Sequence, residues 1–313
     1  MAEIKSRRAV VAAKIESVVG TAETLAAADA NFLIMDPKFT ADIPMFDRKN
    51  LDQSISPFAP IPGTQKATLT FKVENKGSGT AGTAPAIGKL FKACGLGETL
   101  VAITSATYAP ISTAFPSVTI ALYKDGLKKQ IRGARGTFKF STKVGEPMMV
   151  EFTFEGVYDG VSDVAILTGT GIETTIPVPF LNVSTFTALG YASKISHIAI
   201  DIGNKLEMRN DISKAEGFFA CLITDRDPKG SLDPEEELVA TDDRYGKWKL
   251  GTSGTILLPV GATAGNICTI TAPKAMYTKL AEGDRGGLAV LAADFRLVRS
   301  AAAGNDELVL AYT

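Results

Sequence analysis

Histidine and tryptophan each occur once in the 313 residues, as His197 and Trp248, and cysteine only three times. A lone histidine cannot build a zinc site, and no Gly-x-Ser-x-Gly turn accompanies it to suggest a hydrolase. Cys94, Cys221 and Cys268 are far apart, odd in number and set in apolar surroundings. That pattern predicts buried reduced thiols and speaks against a disulfide framework. Net charge is missing as well: 33 basic against 34 acidic side chains leave −1, so no basic field exists to hold nucleic acid by counterion release. Long apolar runs are absent. The stretch Ala9 to Ala13, behind Lys5, Arg7 and Arg8, stops at Lys14, too early for a signal-peptide core, and no segment is long enough to span a bilayer. No membrane partner is expected.

What is present is β texture. Hydrophobic residues make up 45% and charged residues 21%, enough apolar material for substantial cores. Phe39, Ala41, Ile43 and Met45 alternate with polar neighbours. So do Leu69, Phe71 and Val73, then Phe138 and Phe140, then Phe152 and Phe154. A period of two with aromatic and β-branched residues predicts half-buried antiparallel strands. Lys124-Asp125-Gly126 between two apolar runs predicts a tight hairpin. One short helix is expected, with Pro85 in its first turn, Ile87, Leu90, Phe91 and Cys94 on one stripe, and Gly95 as a left-handed cap. Its face Ile87, Leu90 and Phe91 should pack on Leu69, Phe71, Phe138, Phe140, Phe152 and Phe154.

The same order of signals recurs about 150–160 residues downstream. Phe39 to Ile43 resembles Ile198 to Ile202, and Arg48 to Leu51 resembles Arg209 to Ile212. The Pro85 helix has a counterpart opening at Asp233-Pro234 and continuing through Leu238, Tyr245 and Trp248. Glu151 to Glu155 resembles Glu307 to Ala311. The chain therefore divides into an N-terminal arm (1–30), a first β module (31–156), a connector (157–192) punctuated by Gly160, Gly169, Gly171, Pro177 and Pro179, and a second β module (193–313).

Other constellations invite chemistry. Gly77 to Gly82 matches G-x-G-x-x-G between a strand and a helix, the setting of a dinucleotide site. However, the preceding strand is two-faced, unlike the buried parallel strand such a site needs, so a surface loop is the better reading. The acids around Asp225 to Glu237 fit no EF-hand spacing, and Tyr245 with Trp248 are expected to be buried under their helix.

Lys76 to Pro85 leading into Leu90 to Gly95, and Tyr123 to Gly126 followed by Gly133 to Thr137, resemble the major tail tube proteins of long, non-contractile-tailed phages. Asp225 to Pro234 and Gly283 to Gly286 are similar to tail proteins of Mu-like siphophages. The resemblance implies a mainly β fold: two tandem antiparallel β-sandwich or barrel modules, each with a short flanking helix. It implies a structural virion protein and no enzyme, with no catalytic, metal or cofactor residues. The chain's main partner would be itself, in a trimeric ring with pseudo-sixfold symmetry (a hexameric ring is the alternative), stacked into a tube. Tape measure, tail terminator and distal tail proteins would be further partners, and double-stranded DNA would pass through without specific binding. Assembly would take place in the host cytoplasm and yield the virion tail. The polar partners of the alternating strands are then candidates for the lumen: Thr68, Thr70, Lys72, Glu74, Lys139, Ser141, Glu151, Thr153, Glu155, Ser231, Asp233 and Glu307. Acids outnumber bases in that set, which would repel phosphate. Arg7, Arg8, Lys76, Gly77, Gly79 and Gly82 are candidates for ring-to-ring contact. A dinucleotide enzyme on the Gly77–Gly82 loop and a carbohydrate-binding adhesive module are the competing readings.

Overall fold

The period-two segments fold as antiparallel strands. The computed structural model describes residues 3–174, 176–177 and 186–313, so Pro179 and part of the expected connector lie outside the described residues. Among the described residues are nineteen strands and two α-helices: β1 (Ala9–Ile15), β2 (Met35–Asp42), β3 (Met45–Phe46), β4 (Ile61–Pro62), β5 (Lys66–Glu74), α1 (Gly88–Ala93), β6 (Leu96–Val101), β7 (Ser105–Pro110), β8 (Val118–Lys124), β9 (Leu127–Lys143), β10 (Met149–Asp163), β11 (Thr187–Ala188), β12 (His197–Asp201), β13 (Asn204–Asn210), β14 (Phe218–Arg226), β15 (Lys229–Leu232), α2 (Arg244–Leu250), β16 (Gly254–Val260), β17 (Cys268–Arg285), β18 (Leu288–Leu297) and β19 (Val309–Tyr312). The mainly β expectation holds.

Fifteen strands join one sheet whose path is β2-β5-β10-β9-β12-β15-β18-β17-β19-β7-β6. The path contains the repeat. β2-β5-β10-β9 is followed by β12-β15-β18-β17 in the same order and with the same antiparallel pairing. On the long strands, β8 pairs β9 as β16 pairs β17, and β1 pairs β8 as β11 pairs β16. Even the bulges coincide. Val118 opposes Ala134 while Ile120 opposes Ile131, and Gly254 opposes Ala275 while Ile256 opposes Ala272. In both places the long strand carries one extra residue, which bends it locally and increases its twist. In β9 the bulge includes Gly133 at φ +57, a left-handed conformation that glycine adopts freely.

The correspondences read from sequence shift accordingly. β2 does match β12, but the paired rows equate Phe39 with Ile200, two residues from the expected Ile198. The counterpart of β10 is β18. Glu307 to Ala311 leads instead into β19, which joins β17 of the second module to β7 of the first. The second helix begins at Arg244 and is capped by Asp243, whose carboxylate accepts from Gly246 N at 2.7 Å; Asp233 caps nothing helical. Pro85 sits in the turn before α1, where Gly88 N donates to its carbonyl, and Gly95 follows the helix at φ +84 as expected. Asp125 and Gly126, at φ 44 and 105, make the hairpin between β8 and β9.

Leu69, Phe71, Phe138, Phe140, Phe152 and Phe154 are all buried on one face of β5, β10 and β9, and Ile87, Leu90 and Phe91 cover them. Burying each such side chain contributes about 1.5–3 kcal/mol. α2 differs. Its only buried residue is Arg244, and Tyr245 and Trp248 stay 39% and 40% exposed, contrary to the burial expected for them. Arg244 is held by Asp242 at 2.8 Å beneath the helix.

Residues 9–15, within the segment read as an arm, form β1. It lies in register against β8 with Val11, Ala12 and Ala13 fully buried. Glu16, just after β1, accepts from Ser117 Oγ (2.6 Å), Thr119 Oγ1 (2.9 Å), Gly20 N (2.8 Å) and Gly133 N (2.6 Å). It ties the N-terminal segment to the β9 bulge.

Candidate functional site

The strands that bury phenylalanines on one face carry polar side chains on the other, because alternate residues point to opposite faces. Two cross-strand rows define that second face. One runs Lys72, Glu151, Lys139, Asp201, Lys229, Arg296 across β5, β10, β9, β12, β15 and β18. The next runs Glu74, Met149, Ser141, Ala199, Ser231, Asp294 and reaches Lys279 on β17. Thr70 and Thr153 form part of a third, their hydroxyls 3.3 Å apart, with Thr68 and Glu155 beside them. Lys66 Nζ lies 2.9 Å from Glu155, and that bond raises the lysine's pKa.

Ten of the twelve expected lumen residues are thus brought onto one continuous surface: Thr68, Thr70, Lys72, Glu74, Lys139, Ser141, Glu151, Thr153, Glu155 and Ser231. Two are engaged elsewhere. Asp233, just beyond β15, accepts from Ser196 N and His197 N, both at 2.8 Å, and from Arg285 at 2.9 Å. Burial works against its ionisation, but these donors outweigh it and hold the carboxyl below its ordinary value. Glu307 is buried and bonded to Arg226 at 2.6 Å. Without these two, and with Asp201, Lys229, Lys279, Asp294 and Arg296 added, the face is not an acidic wall. Acids and bases alternate from Lys72 to Lys229 along the first row, which ends on a second base, Arg296, and Asp294 faces Lys279 in the next. Asp201 and Lys229 lie on short strands, where the alternation of Ile198 and Ile200 against His197, Ala199 and Asp201 is a brief signal, whereas Lys279, Asp294 and Arg296 lie on the longer β17 and β18.

The ring-contact candidates scatter. Arg7 is exposed, and Arg8 pairs with Asp125 at 2.5 Å. Gly77 and Gly79 lie against Gly265 of the second module, where Gly79 N donates to Gly265 O at 3.2 Å. A Cβ on Gly77 would stand 1.9 Å from that carbonyl, so close backbone approach requires glycine there. Gly82 packs on the turn Val101 to Ile103. Among the described residues no group of His, Cys, Asp and Glu is disposed to hold a metal. Of the acids singled out earlier, Asp227 pairs with Arg296 at 2.6 Å.

The sequence model of the phage tail tube protein family matches residues 6–298, nearly the whole chain. The chain belongs to the phage tail tube protein family. No curated protein matches it. As a tail tube protein it is a structural component of the virion tail. Among the described residues several strands have an open edge, and two of these edges lie at corresponding places in the repeat. β2 pairs only with β5, and the half of β17 from Lys279 to Arg285 pairs only with β18.

Proposed function

We propose that this tail tube protein closes into rings of three chains, six modules in pseudo-sixfold array, and that stacked rings form the tube of a siphophage tail. The alternating polar face lines the bore, and double-stranded DNA passes along it during ejection. The observation that carries this reading is the joint between β9 and β12. It pairs His197–Asp201 with Lys143–Lys139 and merges two repeated modules into a single sheet. A joint that works once between like modules can work again between chains, and closure removes the exposed edges that invite aggregation. A wall of interleaved lysines and carboxylates presents no sustained positive track on which phosphates could lodge. Tape measure, terminator and distal tail proteins meet the ends of such a tube, and assembly takes place in the host cytoplasm.

A structural role also accounts for the glycine-rich loop. Both neighbours of β5 run antiparallel to it, whereas a dinucleotide site needs a parallel strand, and the Gly265 backbone fills the space beside Gly77.

Negative-stain electron microscopy of the purified chain tests the reading. Rings or tubes with a central bore and three chains per ring are expected, with six chains per ring as the alternative closure. A compact monomer at high concentration with no bore refutes it. Replacing Glu74, Glu151 and Glu155 by lysine should leave assembly intact and slow DNA passage; unchanged ejection would count against the lumen assignment.

A further inference from the structure

The repeat fixes how the open edges of β2 and β17 fit each other. β17 is the counterpart of β9, and β2 is the counterpart of β12. The shared bulge equates Ala134 with Ala275, and a second bulge at Thr278, between the pairs Tyr277–Phe295 and Lys279–Asp294, advances the match by one. Beyond it, Lys139 corresponds to Ala281 and Phe140 to Glu282. On the other side, Ile200 corresponds to Phe39 and Asp201 to Thr40. Inside the chain Lys139 lies opposite Asp201 and Phe140 opposite Ile200. Carried over to the open edges, that register sets Ala281 opposite Thr40, Gly283 opposite Lys38 and Lys279 opposite Asp42.

We propose that Lys279–Gly283 of one chain pairs antiparallel with Lys38–Asp42 of a second copy in this register, with Lys279 and Asp42 as its ion pair. The proposal rests on the ring reading and specifies its joint. Three observations support it. Both segments lie on strands that lack a neighbour on one side among the described residues. The pleat is respected, since Lys38, Thr40 and Asp42 face the same side of the sheet as Lys279, Ala281 and Gly283. The charges also agree. The internal joint sets a lysine of the β9-type strand against an aspartate of the β12-type strand, and the external one does the same two residues along. Lys279 has no ion pair among the described residues, and Asp42 is 62% exposed, reaching Lys66 only at 3.9 Å. The β2 edge ends at Pro37, which has no N–H, and Asp36, at φ 51, begins the bulge there. This leaves five residues for pairing, as many as the internal joint uses. The contact is head-to-tail, so its repetition closes a ring when the rotation between neighbouring chains divides a full turn.

Disulfide trapping tests the register. Directly opposed Cα atoms in an antiparallel pair are about 4.5–5.5 Å apart, within reach of a disulfide, whereas diagonal ones at about 7–8 Å are not. Under mild oxidation the assembled double variant Ala281→Cys/Thr40→Cys should give a covalent ladder on non-reducing gels that stops at the ring. The variant Ala281→Cys/Asp42→Cys should give none. The three native cysteines are buried and stay out of the reaction. Rings in the microscope without the first cross-link, or with the second, overturn this joint and leave the ring reading standing. Absence of rings from the unsubstituted chain overturns both. A charge swap gives a second readout. Lys279→Asp or Asp42→Lys alone should weaken each joint about 2–5-fold, and the two together should restore assembly. Equal loss in the double variant counts against the pair.

Discussion

Replacing Phe91 by alanine should destabilise both modules, although the residue belongs to the first. The ring of Phe91 lies 5.1 Å from Phe138, 5.4 Å from Phe152, 5.6 Å from Tyr108, 6.1 Å from Phe140 and 6.4 Å from Tyr312, centroid to centroid. It is fully buried. Truncating such a residue costs about 3–5 kcal/mol in lost transfer free energy and residual cavity, against a typical total stability of about 5–15 kcal/mol. Tyr312 sits on β19, which pairs with β17 on one side and β7 on the other, so loosening its packing weakens the second module as well. The only tryptophan, Trp248, lies on α2 against β17 and reports on that second module. Urea unfolding of the unassembled chain, followed by Trp248 fluorescence and by far-ultraviolet circular dichroism, should show both transitions moving together. The midpoint should fall by about 1–2 M, given slopes of a few kcal/mol per molar. A tryptophan transition that stays in place while part of the dichroism signal shifts would refute the claim that the modules share one cooperative core.

Asp242→Ala should cost about 3–5 kcal/mol, because it strands the Arg244 guanidinium in a site where both side chains are almost fully buried; differential scanning calorimetry checks this. Burial pushes the Cys94 thiol far up, Cys268 to about 11 and Cys221 to about 12, so the folded chain should not react with a thiol reagent at pH 8 until it is unfolded. Burial lowers Lys89 to about 8, while its Nζ donates to the Asp29 carbonyl at 2.8 Å. Between pH 8 and about 10.4 the unfolded chain therefore holds a proton that the folded chain has released, so Lys89 makes stability rise with pH across that window. Lys89→Met should remove this slope in a pH series of urea midpoints. Glu16→Ala leaves the Gly20 and Gly133 N–H groups without their acceptor and should cost about 1–3 kcal/mol, measured by equilibrium unfolding.

Much of the fold could be read from residue order because alternation marks a half-buried strand directly. Phe71, Phe138, Phe152 and their polar neighbours fell on the expected faces for that reason. The second module was harder to read. Its strands β12 and β15 are five and four residues long, too short for a period to stand out, so Asp201 and Lys229 escaped notice. Asp233-Pro234 has the composition of a helix start, but Ser196, His197 and Arg285 claim the carboxylate first, and tertiary partners override local propensity. Glu307 alternates like a strand residue, yet Arg226, distant in sequence, draws it inward. β1 is illegible because its alanine-rich run has no polar alternation; both its faces are buried at the centre, Val11 and Ala13 in one apolar cluster and Ala12 in another.

The junction of β9 with β12 has a kinetic meaning for growth of the tail. In the proposed ring of three chains every second seam is already formed when the polypeptide has folded, so three seams are left to form between chains where separate single modules would need six. Each seam made within a chain escapes the loss of translational and rotational freedom that binding between molecules entails, about 4–15 kcal/mol. Linking the modules therefore lowers the subunit concentration at which rings can nucleate.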